Sequence, residues 1–163
     1  MEFDYLADLR DIRHRRDIEN LELAKFFAEQ RSKDPSTKSG AVIVRPDNTV
    51  ASMGYNGFPS GMTDSHDRLH IREEKYERVV HCEMNAVITA REPLHGYTLY
   101  TWPFLTCHRC AVHMIQAGIK RVVAPKCPTD QAERWERHFV RTREFYRECC
   151  VEFEEIEMYE DTI

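Results

Sequence analysis

One imidazole, one carboxylate and two thiols stand at spacings that suit a catalytic metal: His81-x-Glu83 and, further along the chain, Cys107-x-x-Cys110. An imidazole and two thiolates give a tetrahedral zinc ion three ligands and leave the fourth position to water. A closed structural site takes four protein ligands. Three plus water is the catalytic arrangement, in which the metal brings the pKa of that water towards about 7. Glu83, two positions past His81 and near an expected helix start, can face the water without ligating the metal, as a general base that later acts as acid must.

Two other readings of the same residues stand beside this one. A C-x-x-C pair alone can be a redox couple of thioredoxin type, which follows a first strand at a helix N-terminus and needs no upstream His-x-Glu. A purely structural zinc would recruit a fourth ligand from His108, His113 or Cys82, and His113, three residues past Cys110, could share its helix face. The remaining cysteines carry less. The start of the chain is too charged for a secretory signal, so disulfides are not expected among the six cysteines. Adjacent Cys149 and Cys150 read as small core hydrophobes at the end of an apolar helical stretch. His66 and His70, spaced i and i+4, read as a surface turn or short helix, with a second metal as the alternative.

These residues need a scaffold, and hydrophobic spacing supplies an outline of it. Leu21, Ala24, Phe27 and Ala28 recur at helical period, which predicts a helix over residues 17–32 ahead of the turn residues Asp34, Pro35 and Ser36. Residues 40–44 and 49–53, separated by Pro46-Asp47-Asn48, read as a β-hairpin. Residues 54–59 are expected as loop and 60–78 as a polar insertion whose later part could be helical. Helices follow over 81–91, over 107–117 with Gly118 as cap, and over 129–148. Strands follow over 97–101, 119–124 and 151–156. A hairpin followed by helices alternating with strands predicts an α/β fold, a three-layer α/β/α sandwich around one mixed five-stranded sheet. Without repeats or linker-like stretches, residues 1–163 read as a single domain.

The composition bounds the function. With 42% hydrophobic and 31% charged residues, the 163-residue chain is too apolar to be disordered and too polar to span a bilayer, and a cytoplasmic place is expected. The net charge is −5, but residues 151–163 hold six acids and no base, so the other 150 residues sum to +1. That balance argues against a protein that grips long nucleic acid through a broad cationic face. A small anion is compatible with it. The acidic tail reads as a solvated edge strand or terminus.

The metal motif and four further segments resemble one family. His-x-Glu with Cys-x-x-Cys is the signature of the zinc deaminases. Arg31-Ser32-Lys33-Asp34-Pro35, Gly40-Ala41-Val42-Ile43-Val44, Gly54-Tyr55-Asn56-Gly57, His81-Cys82-Glu83-Met84-Asn85-Ala86 and Ile115-Gln116-Ala117-Gly118-Ile119 resemble segments of the zinc-dependent cytidine and deoxycytidylate (dCMP) deaminases, in the family's order. The resemblance covers roughly residues 21–125, and RSKDP with GYNG points to the dCMP branch. The chain departs from the pattern twice: Cys82 stands where most members have alanine, and Thr106 rather than proline precedes Cys107, the nearest proline being Pro103 in a longer segment.

The resemblance implies a cytidine-deaminase-like fold and hydrolysis of dCMP to dUMP and ammonia, which feeds thymidylate synthesis. It implies Zn²⁺ on His81, Cys107 and Cys110, Glu83 as proton shuttle between water, N3 and the departing amine, and Asn56 as a substrate contact. Arg31, Lys33, Lys38, Arg68 and Arg72 are the candidates for the phosphate. It also implies a homo-oligomer, commonly a hexamer, activated by dCTP and inhibited by dTTP with Mg²⁺, the effector held by Gly54, Tyr55 and Gly57. A deaminase of another cytosine nucleotide, such as dCTP or a modified dCMP, and a zinc-stabilised nucleotide binder without turnover are the alternatives.

Overall fold

Alternation along the strands decides which helix covers which face. In the computed structural model, which describes residues 5–158, β1 (Gly40–Val44) is buried along its whole length, and its neighbouring side chains enter different cores. Val42 and Val44 pack with Leu21 and Ala24 of α1 (Tyr5–Arg31). Ala41 and Ile43 join Ala86, Ala111, Met114, Phe139 and Tyr146 on the other side. A strand with both faces covered must lie inside a three-layer stack.

The remaining elements follow in the order β2 (Val50–Tyr55), α2 (His66–His70), α3 (Arg72–Arg78), α4 (Cys82–Thr89), β3 (Thr98–Trp102), α5 (His108–Gln116), β4 (Arg121–Pro125), α6 (Thr129–Glu148) and β5 (Glu152–Ile156). The sheet runs β2-β1-β3-β4-β5. β1 pairs antiparallel with both β2 and β3, whereas β3, β4 and β5 are parallel. Parallel neighbours need crossovers, and α5 and α6 supply them on the face where α4 also packs. The expected α/β/α sandwich with a mixed five-stranded sheet is therefore the observed architecture.

Several boundaries move, each for a physical reason. α1 begins at Tyr5, far ahead of the expected Asp17. Residues 8–16 of it are mostly exposed, so no apolar stripe announces them. Asp17 is no helix start but a buried carboxylate inside α1: it takes two 2.7 Å hydrogen bonds from the Arg121 guanidinium and one of 2.8 Å from the Tyr100 hydroxyl. β2 runs on through Gly54 and Tyr55, expected as loop, because Gly40 and Ala41 of β1 pair with them. The polar insertion folds into α2 and α3.

Cys149 and Cys150 are exposed, against the reading of both as core residues. α6 ends at Glu148, and Cys150 takes φ 54° to turn the chain into β5. The first acids of the tail are tied to cations. Glu152 pairs with Arg13 and Arg121, Glu154 with Arg121, Glu155 with Arg143 and Glu157 with Lys126. Glu160 and Asp161 lie outside the described residues.

Candidate active site

Two helix N-termini meet above the sheet. The chain leaves the C-terminal end of β3 and enters α5 at Cys107, and it enters α4 at His81. Both N-cap residues share one backbone conformation, φ −67°, ψ 154° at His81 and φ −68°, ψ 155° at Cys107. Neither side chain caps its own helix. They face each other: His81 Nδ1 lies 3.5 Å from Cys107 Sγ and 3.4 Å from Cys110 Sγ. The Cys-x-x-Cys spacing puts one thiol at the cap and the other one turn into α5, and the helix N-terminus favours thiolate at both.

A metal fits this triangle. With Zn–N near 2.0–2.1 Å and Zn–S near 2.3 Å, a tetrahedral ion holds its nitrogen and sulfur ligands about 3.6 Å apart. The donor atoms of His81, Cys107 and Cys110 all lie within 4.8 Å of one another, and among the described residues this is the one such group of three or more. The three share protons already. The hydrogen bond from Cys110 and the imidazole beside it hold the Cys107 thiol well below the usual range; Cys107 in turn raises His81 and pushes Cys110 up.

None of the alternative fourth ligands joins the group. His108 Nδ1 sits 2.9 Å from His138 Nδ1 and its ring stacks on that of His138. His113 Nδ1 meets Arg109 O at 2.8 Å. Cys82 is buried, with its thiol 3.3 Å from Glu83 Oε2. The pair His66 and His70 stack on exposed α2 with ring centroids 3.9 Å apart and belong to no metal-sized group among the described residues. The thioredoxin-type reading also loses its context, since the cysteines follow the third strand of the chain rather than the first.

Glu83, in the first turn of α4, is only 6% exposed, and burial raises its carboxyl above the usual range. Its depth follows from how closely α4 lies on β2. A Cβ on Gly54 would run into Cys82 O and Ala86 N, so only glycine permits this approach. Ser52 Oγ donates to Ala86 O at 2.8 Å and Asn85 Nδ2 to Tyr55 O at 2.7 Å, which locks the register. On the other side, Thr142 of α6 donates to the carbonyl of buried Thr106 at 2.8 Å and pins the loop before Cys107.

Glu83, His81 and Cys107 line a cleft of about 670 Å³ that also takes in Asn56 and the aromatic walls Trp102, Phe104 and Trp135. The Asn56 amide is held on both ends. Its Oδ1 accepts from Ser32 Oγ at 2.6 Å and from Ser39 N at 2.8 Å, and its Nδ2 donates to Thr37 O at 2.8 Å, with a longer contact of 3.3 Å to Asp34. Sequence reasoning missed Lys75, which is 6% exposed and donates to Asp34 Oδ1 at 2.9 Å and Ser36 Oγ at 3.0 Å in this cleft. It also missed Tyr76, Arg134 and Trp135.

The expected phosphate and effector residues disperse. None of Arg31, Lys33, Lys38, Arg68 and Arg72 lines the inner cleft. Arg31 and Lys33 line a second cleft with Tyr55 and Gly57, separated from the first by Asp34, Asn56 and Lys75, which border both. Lys38 donates to Glu29 O and Arg68 to Thr63 O. Gly54 is absent from that second cleft, its role being the contact with α4.

Comparison with known proteins agrees with this geometry. The family model described as the cytidine and deoxycytidylate deaminase zinc-binding region matches residues 15–126. An uncharacterized deaminase in the luxG 3′ region of Aliivibrio fischeri is 38% identical over 121 residues, 74% of this chain and 80% of that one. The deoxycytidylate deaminase of Homo sapiens is 40% identical over 60% of this chain, a match that spans 58% of its own length. A crystal structure of dCMP deaminase from the cyanophage S-TIM5, in complex with dCMP and dUMP, shares the fold at a TM-score of 0.63 and 23% identity, covering 83% of this chain and 93% of that one.

Proposed function

As this chain belongs to the cytidine and deoxycytidylate deaminase family, and is by that membership a hydrolytic deaminase, we propose that its substrate is dCMP and that its products are dUMP and ammonia. The observation that carries the reading is one cleft wall on which buried Glu83 stands beside the three-donor group and beside Asn56. His81, Cys107 and Cys110 would hold Zn²⁺, which when bound activates water as a nucleophile at neutral pH.

The chain's own residues do the rest. Glu83, kept from solvent, takes a proton from the attacking water, gives it to N3 of the pyrimidine and then passes a proton to the departing 4-amino group. Burial raises its carboxyl above the usual range, which eases the uptake of a proton. Asn56, fixed by Ser32, Ser39 and Thr37, keeps one weakly engaged amide hydrogen, on the 3.3 Å contact to Asp34, free to meet a sugar hydroxyl. Trp102, Phe104 and Trp135 offer the base apolar faces that exclude water. Incubation of the metal-replete protein with dCMP, cytidine, CMP and dCTP, followed by the absorbance change from cytosine to uracil, tests the reading. Turnover of dCMP is expected, and its absence would overturn the assignment.

The same reading extends to a role upstream of thymidylate synthesis in the cytoplasm, and to a homohexamer that dCTP activates and dTTP with Mg²⁺ inhibits. The second cleft supports the effector part, because Arg31 stands there beside Tyr55 and Gly57, Lys33 is paired there with Asp64, and Asn56 borders both clefts. Hyperbolic rates unmoved by either triphosphate, from a protein monomeric by light scattering, would remove the regulation and leave the deaminase. No helix among the described residues is long and apolar enough to cross a membrane.

A further inference from the structure

The catalytic cleft widens outward past Tyr76, Arg134 and Trp135, and there its walls gain Arg72, Arg109, Arg137 and Arg141 together with His108 and His138. Among the described residues no carboxylate lines this outer part. Some arginines elsewhere are ion-paired: Arg45 with Glu92, Arg121 with Asp17, Arg143 with Glu155. Here Arg141 meets Glu144 at 3.3 Å, but among the described residues Arg72, Arg109, Arg134 and Arg137 have no carboxylate within ion-pairing distance. Two of the four are held in place before any ligand arrives. Arg134 donates to Tyr76 Oη at 2.7 Å and lies over the Trp135 ring, 5.2 Å from its centroid, while Arg72 lies over the Tyr76 ring at 5.0 Å.

We propose that this arginine-walled mouth receives the phosphate chain of a deoxycytidine triphosphate, so that the enzyme also hydrolyses dCTP to dUTP and ammonia. The inference rests on the deaminase reading: with the base at Glu83 in the inner cleft, the 5′ end of the nucleotide is directed to the mouth. A monophosphate brings about two negative charges, which two guanidinium groups meet. Four unpaired guanidinium groups match the charge of a triphosphate, and their planar forks suit non-bridging phosphate oxygens. A nucleic-acid strand would need cationic surface to continue well beyond one cleft, and residues 1–150 sum to only +1.

The test is calorimetry on metal-replete Glu83→Gln protein, which cannot consume the ligand, with dCMP, dCDP and dCTP. Affinity is expected to rise along that ladder, with dCTP bound about tenfold or more tighter than dCMP. The double substitution Arg72→Glu with Arg137→Glu, both on exposed positions, should erase the advantage in the dCTP binding that dCMP displaces, whereas Lys33→Glu in the second cleft, where the regulatory reading also places dCTP, should remove only binding that dCMP does not displace. Wild-type protein should release ammonia from dCTP. Equal affinities along the ladder overturn the proposal, as does an advantage lost to Lys33→Glu but not to the mouth variant, or a single-stranded oligonucleotide bound tighter than dCTP. If dCMP is deaminated and dCTP is neither bound more tightly nor turned over, this inference fails alone. If neither nucleotide reacts, the deaminase reading fails and takes the proposal with it.

Discussion

Of the two carboxyls that line the inner cleft among the described residues, Asp34 is held by Lys75, while Glu83, beside Cys82, stands at the metal-sized group of donors and is the one placed to move protons there. Glu83→Gln keeps the shape and loses the proton. The variant should retain about one zinc per chain by metal analysis while kcat falls by about 10²-fold or more. Near-normal turnover would assign the shuttle to another group. At this scale the sequence was most readable where chemistry restricts residue type and spacing together, as in His81-x-Glu83 and Cys107-x-x-Cys110. Lys75, Arg134 and Trp135 escaped because their importance arises from approach across the fold. Lys75 and Asp34 are far apart in sequence, and nothing local to α3 distinguishes Lys75 from a solvated charge.

α4 and α5 each begin without a side-chain cap, and the residues that would cap them are the ones turned towards the metal. A bound ion would tie the two N-caps together and so add order to both first turns. Chelation should raise amide exchange in the opening turns of α4 and α5 well before β1, β3 and β4 respond, as read by mass spectrometry with and without zinc. Uniform protection in both forms would show that the helices hold themselves. The strands and the helices α5 and α6 were legible because their apolar faces repeat at the period of the element. The first half of α1 was not, since most of it buries nothing, and β2 was cut short because glycine at residue 54 reads as a turn until its contact with α4 is seen.

Across the molecule, α1, β3 and β4 are joined under the sheet by Asp17, Tyr100 and Arg121, a buried ion pair with a phenol hydrogen-bonded to it. Removing one partner strands the other. Asp17→Ala should cost about 3–5 kcal/mol in urea unfolding, and the double variant with Arg121→Met should recover part of it. If the two losses simply add, the pair is not coupled. Charge is sorted as well as paired. The acids of β5 pair with Arg13, Arg121 and Arg143, and none of them lines the cleft mouth, so they do not directly compensate the guanidinium groups there although the chain's formal charge is −5. An anion diffusing nearby meets a local field whose sign is opposite to that of the whole protein. Capture of a nucleotide should then be accelerated over that of the uncharged nucleoside, by a factor of order 10 or more at low ionic strength, and the gain should vanish as added salt shortens the reach of the field. Stopped-flow association rates for dCMP and deoxycytidine over a salt series measure it, and rates that ignore ionic strength would mean that the encounter is blind to charge.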